Sequence, residues 1–78
     1  MFLRQELSKS SEYMALSRRQ LEVLRCIWDG FHSKEICARL DLNVKGVEFH
    51  RRNIVKKWEC DNVIQAIRLA LRRGILEM

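Results

Sequence analysis

The sequence contains no proline and only three glycines, Gly30, Gly46 and Gly74, in 78 residues. It also lacks any stretch of strict apolar–polar alternation, the mark of a half-buried strand. Apolar residues recur instead at helical spacing, so the fold class is all-α. The longest apolar runs, such as Leu69-Ala70-Leu71, fall far short of the roughly 20 residues that a membrane-spanning helix needs. The opening Met1-Phe2-Leu3-Arg4-Gln5-Glu6 has neither the apolar run nor the small-residue cleavage site of a signal peptide. A cytoplasmic location, with no membrane partner, is therefore expected.

Chemistry-bearing constellations are missing too. The three cysteines, Cys26, Cys37 and Cys60, are odd in number and widely spaced, matching no zinc pattern. Cys26 and Cys37 occupy apolar helix positions and read as core thiols, whereas Cys60 falls in a loop. There is no Ser, Cys and His arrangement for nucleophilic catalysis, no clustered carboxylates and no glycine-rich phosphate loop. A chain this short buries only about 60% of the surface its unfolded form exposes, which leaves little room for a core and a substrate pocket together. The expectation is one small non-enzymatic domain with no metal, cofactor or small-molecule ligand.

What the chain does have is positive charge in one place. Fifteen bases against ten acids give +5. The first sixteen residues are neutral, Arg4 and Lys9 balancing Glu6 and Glu12, so the whole excess lies beyond Leu16. Between Val44 and Trp58, the five bases Lys45, Arg51, Arg52, Lys56 and Lys57 face the single acid Glu48. A cluster of that kind suggests a polyanionic partner.

Residues 1–15, with Ser8-Lys9-Ser10-Ser11, read as a flexible arm ahead of a domain spanning 16–78. Four helices are predicted there, over about 17–29, 33–41, 44–58 and 62–73. Ser17 with Gln20 forms a capping box, Leu16 can staple onto Leu21, and Gly30 is a stop. The second helix starts at Ser33 and carries Ile36, Cys37 and Leu40. Asn43 caps the third, which follows after so short a turn that the pair reads as a helix-turn-helix unit. The fourth runs from Asn62 to about Arg73, with Gly74 as its stop.

The third helix divides chemically by face. At about 100° per residue, Val47, His50, Ile54 and Trp58 share one side, while Lys45, Glu48, Phe49, Arg52 and Lys56 gather on the other. A purely structural helix has little reason to expose Phe49 among charges. A helix entering the major groove does: an aromatic edge packs on a thymine methyl while basic side chains reach guanine and phosphates. On the fourth helix the apolar arc of Val63, Ile64, Ala66, Ile67, Ala70 and Leu71 is wider than one core contact requires. Its surplus, Ile64 and Leu71 with Leu69, either seals the core or meets a second copy.

These residues resemble the LuxR-type, or GerE-like, helix-turn-helix family of bacterial regulators. Leu16-Ser17-Arg18-Arg19-Gln20-Leu21-Glu22-Val23-Leu24 stands where the family has its opening Leu-Thr-x-Arg-Glu pattern. Gly30 and Lys34-Glu35-Ile36 follow, and Gly46 to Trp58 is similar to the family's recognition segment. The resemblance covers about residues 16–76. It implies a four-helix domain that binds double-stranded DNA as a homodimer, with the third helix in the major groove reading an inverted repeat. By the same resemblance Glu48, Phe49 and Arg52 read bases. Lys34, Asn43, Lys45, Asn53 and Lys57 contact the DNA backbone, with Arg51 and Lys56 added from the basic cluster. The fourth helix would supply the dimer contact through Ile64, Ile67 and Leu71. Without a receiver or ligand-sensing segment, the chain is similar to the small stand-alone members of the family, acting at the bacterial nucleoid.

Three positions depart from the family pattern. Gly46 replaces a threonine, Glu48 a commoner lysine, and Gln20 a glutamate. His50 reads as a hydrogen-bonded packing residue, His32 as solvated, and Trp28 and Trp58 as core. The leading expectation is a sequence-specific DNA-binding transcription regulator. The alternative is an antagonist that pairs through helix 62–73 with a larger regulator or polymerase subunit.

Overall fold

A computed structural model describes residues 16–77, so the expected arm over 1–15 lies outside the described residues. Within 16–77 the chain forms α1 (Arg18–Trp28), α2 (Ser33–Leu40), α3 (Val44–Lys57) and α4 (Val63–Arg72), with no strand among the described residues. Each helix falls within one residue of its predicted bounds. The differences are at Ser17, Asp29, Asp41, Trp58, Asn62 and Arg73, which are the half-helical capping positions.

The helix starts are fixed by side chains. Ser17 Oγ accepts the Gln20 N–H at 3.1 Å, and Gln20 Oε1 accepts the Ser17 N–H at 2.8 Å. At α2 the His32 N–H donates to Glu35 Oε1 at 2.7 Å. Asn43 Oδ1 accepts the Gly46 N–H at 2.7 Å, and Asn62 Oδ1 the Gln65 N–H at 3.0 Å. Each bond satisfies a backbone donor that has no partner within its helix.

The helix ends share one device. Phe31 N–H donates to Cys26 O, Leu42 to Cys37, Cys60 to Val55 and Ile75 to Ala70, at 2.8–3.0 Å. Each closes a 6→1 loop over a residue with positive φ: Gly30, Asp41, Glu59 and Gly74 in turn. The residue after each turn is apolar and packs on the core, as that motif favours. Cys60, in a loop as expected, is therefore half-buried against the core. Burial pushes the Cys60 and Cys26 thiols above their ordinary range, keeping both protonated near neutrality.

The core has two lobes. Leu24 of α1, Ile54 and Trp58 of α3, and Ala66, Ile67 and Ala70 of α4 form the larger, closed by Leu16 and Leu76 from the ends of the domain. Cys26, Ile36 and Val47 form the smaller, between α1, α2 and the first turns of α3. Helix α3 packs against all three others and contributes to both lobes. Val47 and Ile54 are wholly buried, and Trp58 is nearly so. Trp28 is only half-buried, and its Nε1–H donates to Glu77 O at 3.4 Å, tying the end of the domain to α1.

The placements of Ile67, Leu69 and His50 refine the sequence expectations. Ile67, expected at the dimer contact, packs into the monomer's own core at 7% exposure. Leu69 and Leu71 are both half-buried against the core, the first of the two alternatives left open for them, whereas Ile64 is exposed. His50 is half-buried, with its Nδ1 enclosed and without a hydrogen-bond partner among the described residues. Its ring meets that of Phe49 edge-on at 5.5 Å. Among the described residues, the large apolar side chains left exposed are Val44, Phe49 and Ile64.

The contrast between the two sides of α3 is measurable. Ile54→Ala should destabilise the domain by about 2–5 kcal/mol, because it opens a cavity between three helices. Phe49→Ala should change stability by less than about 1 kcal/mol, since it removes only surface and one aromatic edge contact. Urea unfolding followed by circular dichroism distinguishes the two; equal losses would mean that Phe49 is a core residue.

Candidate nucleic-acid interface

Burying Val47, Ile54 and Trp58 forces the opposite side of α3 outward. Lys45, Phe49, Arg52 and Lys56 are all exposed there, with Glu48 half-exposed at the edge. Phe49 is 53% exposed although the core begins two residues earlier in the chain, at Val47. Among the sequence-predicted base readers, Glu48, Phe49 and Arg52 are thus brought together on one face. They border a shallow concavity of about 610 Å³ with Val44, Lys45 and Gly46. Val44 is 51% exposed and was missed by sequence reasoning, which read it only as the first residue after a cap.

Gly46 has a local structural reason. A Cβ there would lie 3.2 Å from Asn43 Oδ1 and 3.4 Å from Leu42 Cδ2, crowding the cap that starts α3. The residue that the family pattern places there, threonine, would bring still more bulk. Asn43 spends its side-chain oxygen on that cap, leaving its amide N–H₂ for any outside acceptor.

The flanks of the reading face differ. On one, Asn53 and Lys57 are half-buried about 60–140° round the helix from Lys56 and Arg52. On the other, Arg51 Nε lies 3.8 Å from Glu48 Oε1. A cleft of about 550 Å³ runs from that flank to the loop before α4, bordered by Arg51, Arg52, Lys56 and Asn62 among others. Lys34 is exposed in the first turn of α2, separate from the α3 face.

Charge is distributed unevenly between helices. On α1, Arg18 and Arg19 pair with Glu22, and Arg25 with Asp29. On α3, among the described residues, Lys45, Arg52, Lys56 and Lys57 have no acidic partner within 4 Å. The exposed side of α3 therefore carries positive potential on an ordered scaffold, as a phosphate-rich surface requires, although Arg68, Arg72 and Arg73 at α4 likewise have no acidic partner within 4 Å among the described residues. No group of three or more His, Cys, Asp or Glu side chains among the described residues is placed to hold a metal ion. A helix with one apolar side sunk in the core and a basic, aromatic-bearing side held out can lie in a duplex groove.

Comparison with known proteins gives the same direction. The family described as "Bacterial regulatory proteins, luxR family" matches residues 14–70. The uncharacterized response regulatory protein YgeK of Escherichia coli is 43% identical over 68 residues, which are 87% of this chain and 46% of that protein. The oxygen regulatory protein NreC of Staphylococcus epidermidis is 36% identical over 73 residues, or 92% of this chain and 34% of the relative. This chain thus spans less than half the length of either. Full-length FixJ from B. japonicum superposes with a TM-score of 0.74 at 25% identity, covering 91% of this chain and 35% of that one. The family is one of regulators, not of enzymes. The chain belongs to the LuxR family of bacterial regulatory proteins and folds as its four-helix, GerE-type helix-turn-helix domain.

Proposed function

We propose that the chain acts as a sequence-specific DNA-binding transcription regulator in the bacterial cytoplasm, as a homodimer that reads an inverted repeat with α3 in the major groove. The observation that carries this reading is the exposed α3 face, where Phe49 stands among unpaired bases on the side opposite Val47 and Ile54. Glu48, Phe49 and Arg52 meet base edges. Lys45 and Lys56 flank them towards the phosphates, with Lys34, Asn43, Asn53 and Lys57 as outer backbone contacts. Relatives named as response regulatory and oxygen regulatory proteins support a role in regulation. No helix among the described residues is long and apolar enough to cross a membrane.

Pairing of two copies is proposed through α4. Ile64 is 56% exposed, and Leu71 lies two turns along the same face. A two-fold axis there gives a self-complementary contact and two α3 helices related by symmetry, which matches an inverted repeat. The same exposed Ile64 supports the second reading, capture of a larger regulator or a polymerase subunit.

The groove assignment is tested by binding isotherms on a duplex selected from a randomised pool. Arg52→Ala should cost about 1–3 kcal/mol and relax preference at one base pair. Lys56→Ala should weaken all sequences alike and reduce the salt slope by about 1. With four to six phosphates neutralised, log K should fall against log salt with a slope of about −4 to −5 for the unmodified protein. Affinity unchanged by both substitutions would remove α3 from the interface.

The dimer is tested separately by Ile64→Glu. This variant should keep its fold and its affinity for one half-site yet lose cooperative binding to the repeat, as seen by sedimentation and gel shift. If cooperative binding persists, α4 is not the dimer contact. If the unmodified protein selects no duplex but co-sediments with a regulator or polymerase subunit, and Ile64→Glu abolishes that, the second reading holds.

A further inference from the structure

We infer that Glu48 specifies a cytosine in each half-site, and that Arg51 is the positioning residue that makes a carboxylate usable at that place. This rests on the groove reading above and names the base it selects.

A carboxylate on a groove-reading helix is an electrostatic anomaly, since the phosphates on both walls repel it. Here the repulsion is met on the helix itself. Arg51, one turn on, brings its Nε to 3.8 Å from Glu48 Oε1. By helical geometry Arg51 sits about 60° from Glu48 towards the buried side of α3, so it approaches the carboxylate from behind. Its side chain is 33% exposed and that of Glu48 45%, consistent with a support and an outward-facing partner. A pair this exposed adds little to folding stability. Its consequence is local: at 3.8 Å, longer than a hydrogen bond, the guanidinium offsets the anion from the side nearer the core and leaves the carboxylate its accepting capacity.

The base then follows from what a carboxylate can do, which is accept and never donate. In the major groove thymine offers only an acceptor and a methyl group, and guanine offers two acceptors. Adenine has a donor beside the N7 acceptor, which a carboxylate would repel. Cytosine alone presents its amino donor without an acceptor beside it on the same base. The other side chains around the concavity do not compete for that donor: Lys45 and Arg52 have no acceptor, and Val44 and Phe49 have no polar side-chain atom. Glu48 is therefore the one side chain lining that concavity able to read an amino group.

Arg51 was expected among the backbone contacts, and the two roles differ in outcome. A phosphate contact would strengthen binding to every sequence equally, whereas a positioning residue acts at one base pair.

The test uses the full chain and a duplex selected by it from a randomised pool, with each position then replaced by the other three base pairs. One position should require cytosine, any replacement weakening binding about 10-fold. Glu48→Gln should move the preference at that position to adenine, whose N6 and N7 suit an amide. Glu48→Lys should move it to guanine. Arg51→Ala should flatten the cytosine preference to less than about threefold while leaving preferences elsewhere intact, with partial recovery in Arg51→Lys. Thermal melts should show all four variants folded.

Glu48→Gln with an unchanged preference at every position would overturn the assignment of Glu48. Arg51→Ala that weakens all duplexes equally and keeps the cytosine preference would return Arg51 to the phosphates. Failure of the unmodified protein to enrich any duplex would overturn the groove reading and this inference with it. Enrichment of a site in which no position requires cytosine would overturn this inference alone.

Discussion

The burial of one side of α3 is the constraint from which the remaining structure follows. Val47 and Ile54 are wholly enclosed, with α1, α2 and α4 all packed against this helix. A helix cannot turn about its axis without lifting such residues into water, at about 1.5–3 kcal/mol for each large apolar side chain exposed. The rotation of α3 is thereby fixed, and with it the direction of every outward residue. Lys45, Phe49, Arg52 and Lys56 face out because their neighbours on the same helix face in. The domain is small, and α3 is the element that joins its two core lobes. The same packing that stabilises the chain therefore aims its reading face.

The connections serve that packing. All four helices end in the same 6→1 hydrogen bond, followed by an apolar residue folded back on the core. At Gly30 and Gly74 the required positive φ is unstrained, and both stops were legible in the sequence. Asp41 and Glu59 adopt the same conformation without that freedom, and sequence reasoning placed ends nearby only because helical spacing ran out. Aspartate reaches the left-handed region more readily than most residues. The physics of the Glu59 turn is tertiary: Cys60 packs on the core and its N–H binds Val55 O, a gain that outweighs the local conformational cost. No local sequence signal carries such a gain.

The candidate site was legible to a similar depth. Dividing α3 by angle isolates Glu48, Phe49 and Arg52 without any coordinates, because residues on one helix have fixed relative directions. What angle does not give is how side chains choose among partners. The Arg51 side chain pairs with Glu48 rather than standing free with the other bases. His50 lies where expected but with its Nδ1 unsatisfied. Ile67 and Ile64 are about 60° apart on α4, yet one is core and the other is 56% exposed. That boundary depends on how closely α3 and α4 approach, a distance no periodicity contains.

The separation of duties on α3 also explains how its departures from the family pattern are compatible with the fold. A substitution at Val47 or Ile54 acts on the core and costs stability. One at Glu48 or Arg52 changes a solvent-facing group, typically within about 0.5 kcal/mol of neutral for folding. Sequence preference can thus drift at the outward positions while the helix that displays them stays fixed. Gly46 is the exception, since it lies against the cap at Asn43 and answers to both demands at once. A larger residue there would press on the first turn of α3, the turn that also orients Lys45 and Glu48. Glycine there spares Asn43 and Leu42 the small shift that a Cβ would demand, and so eases the cap that orients the reading face.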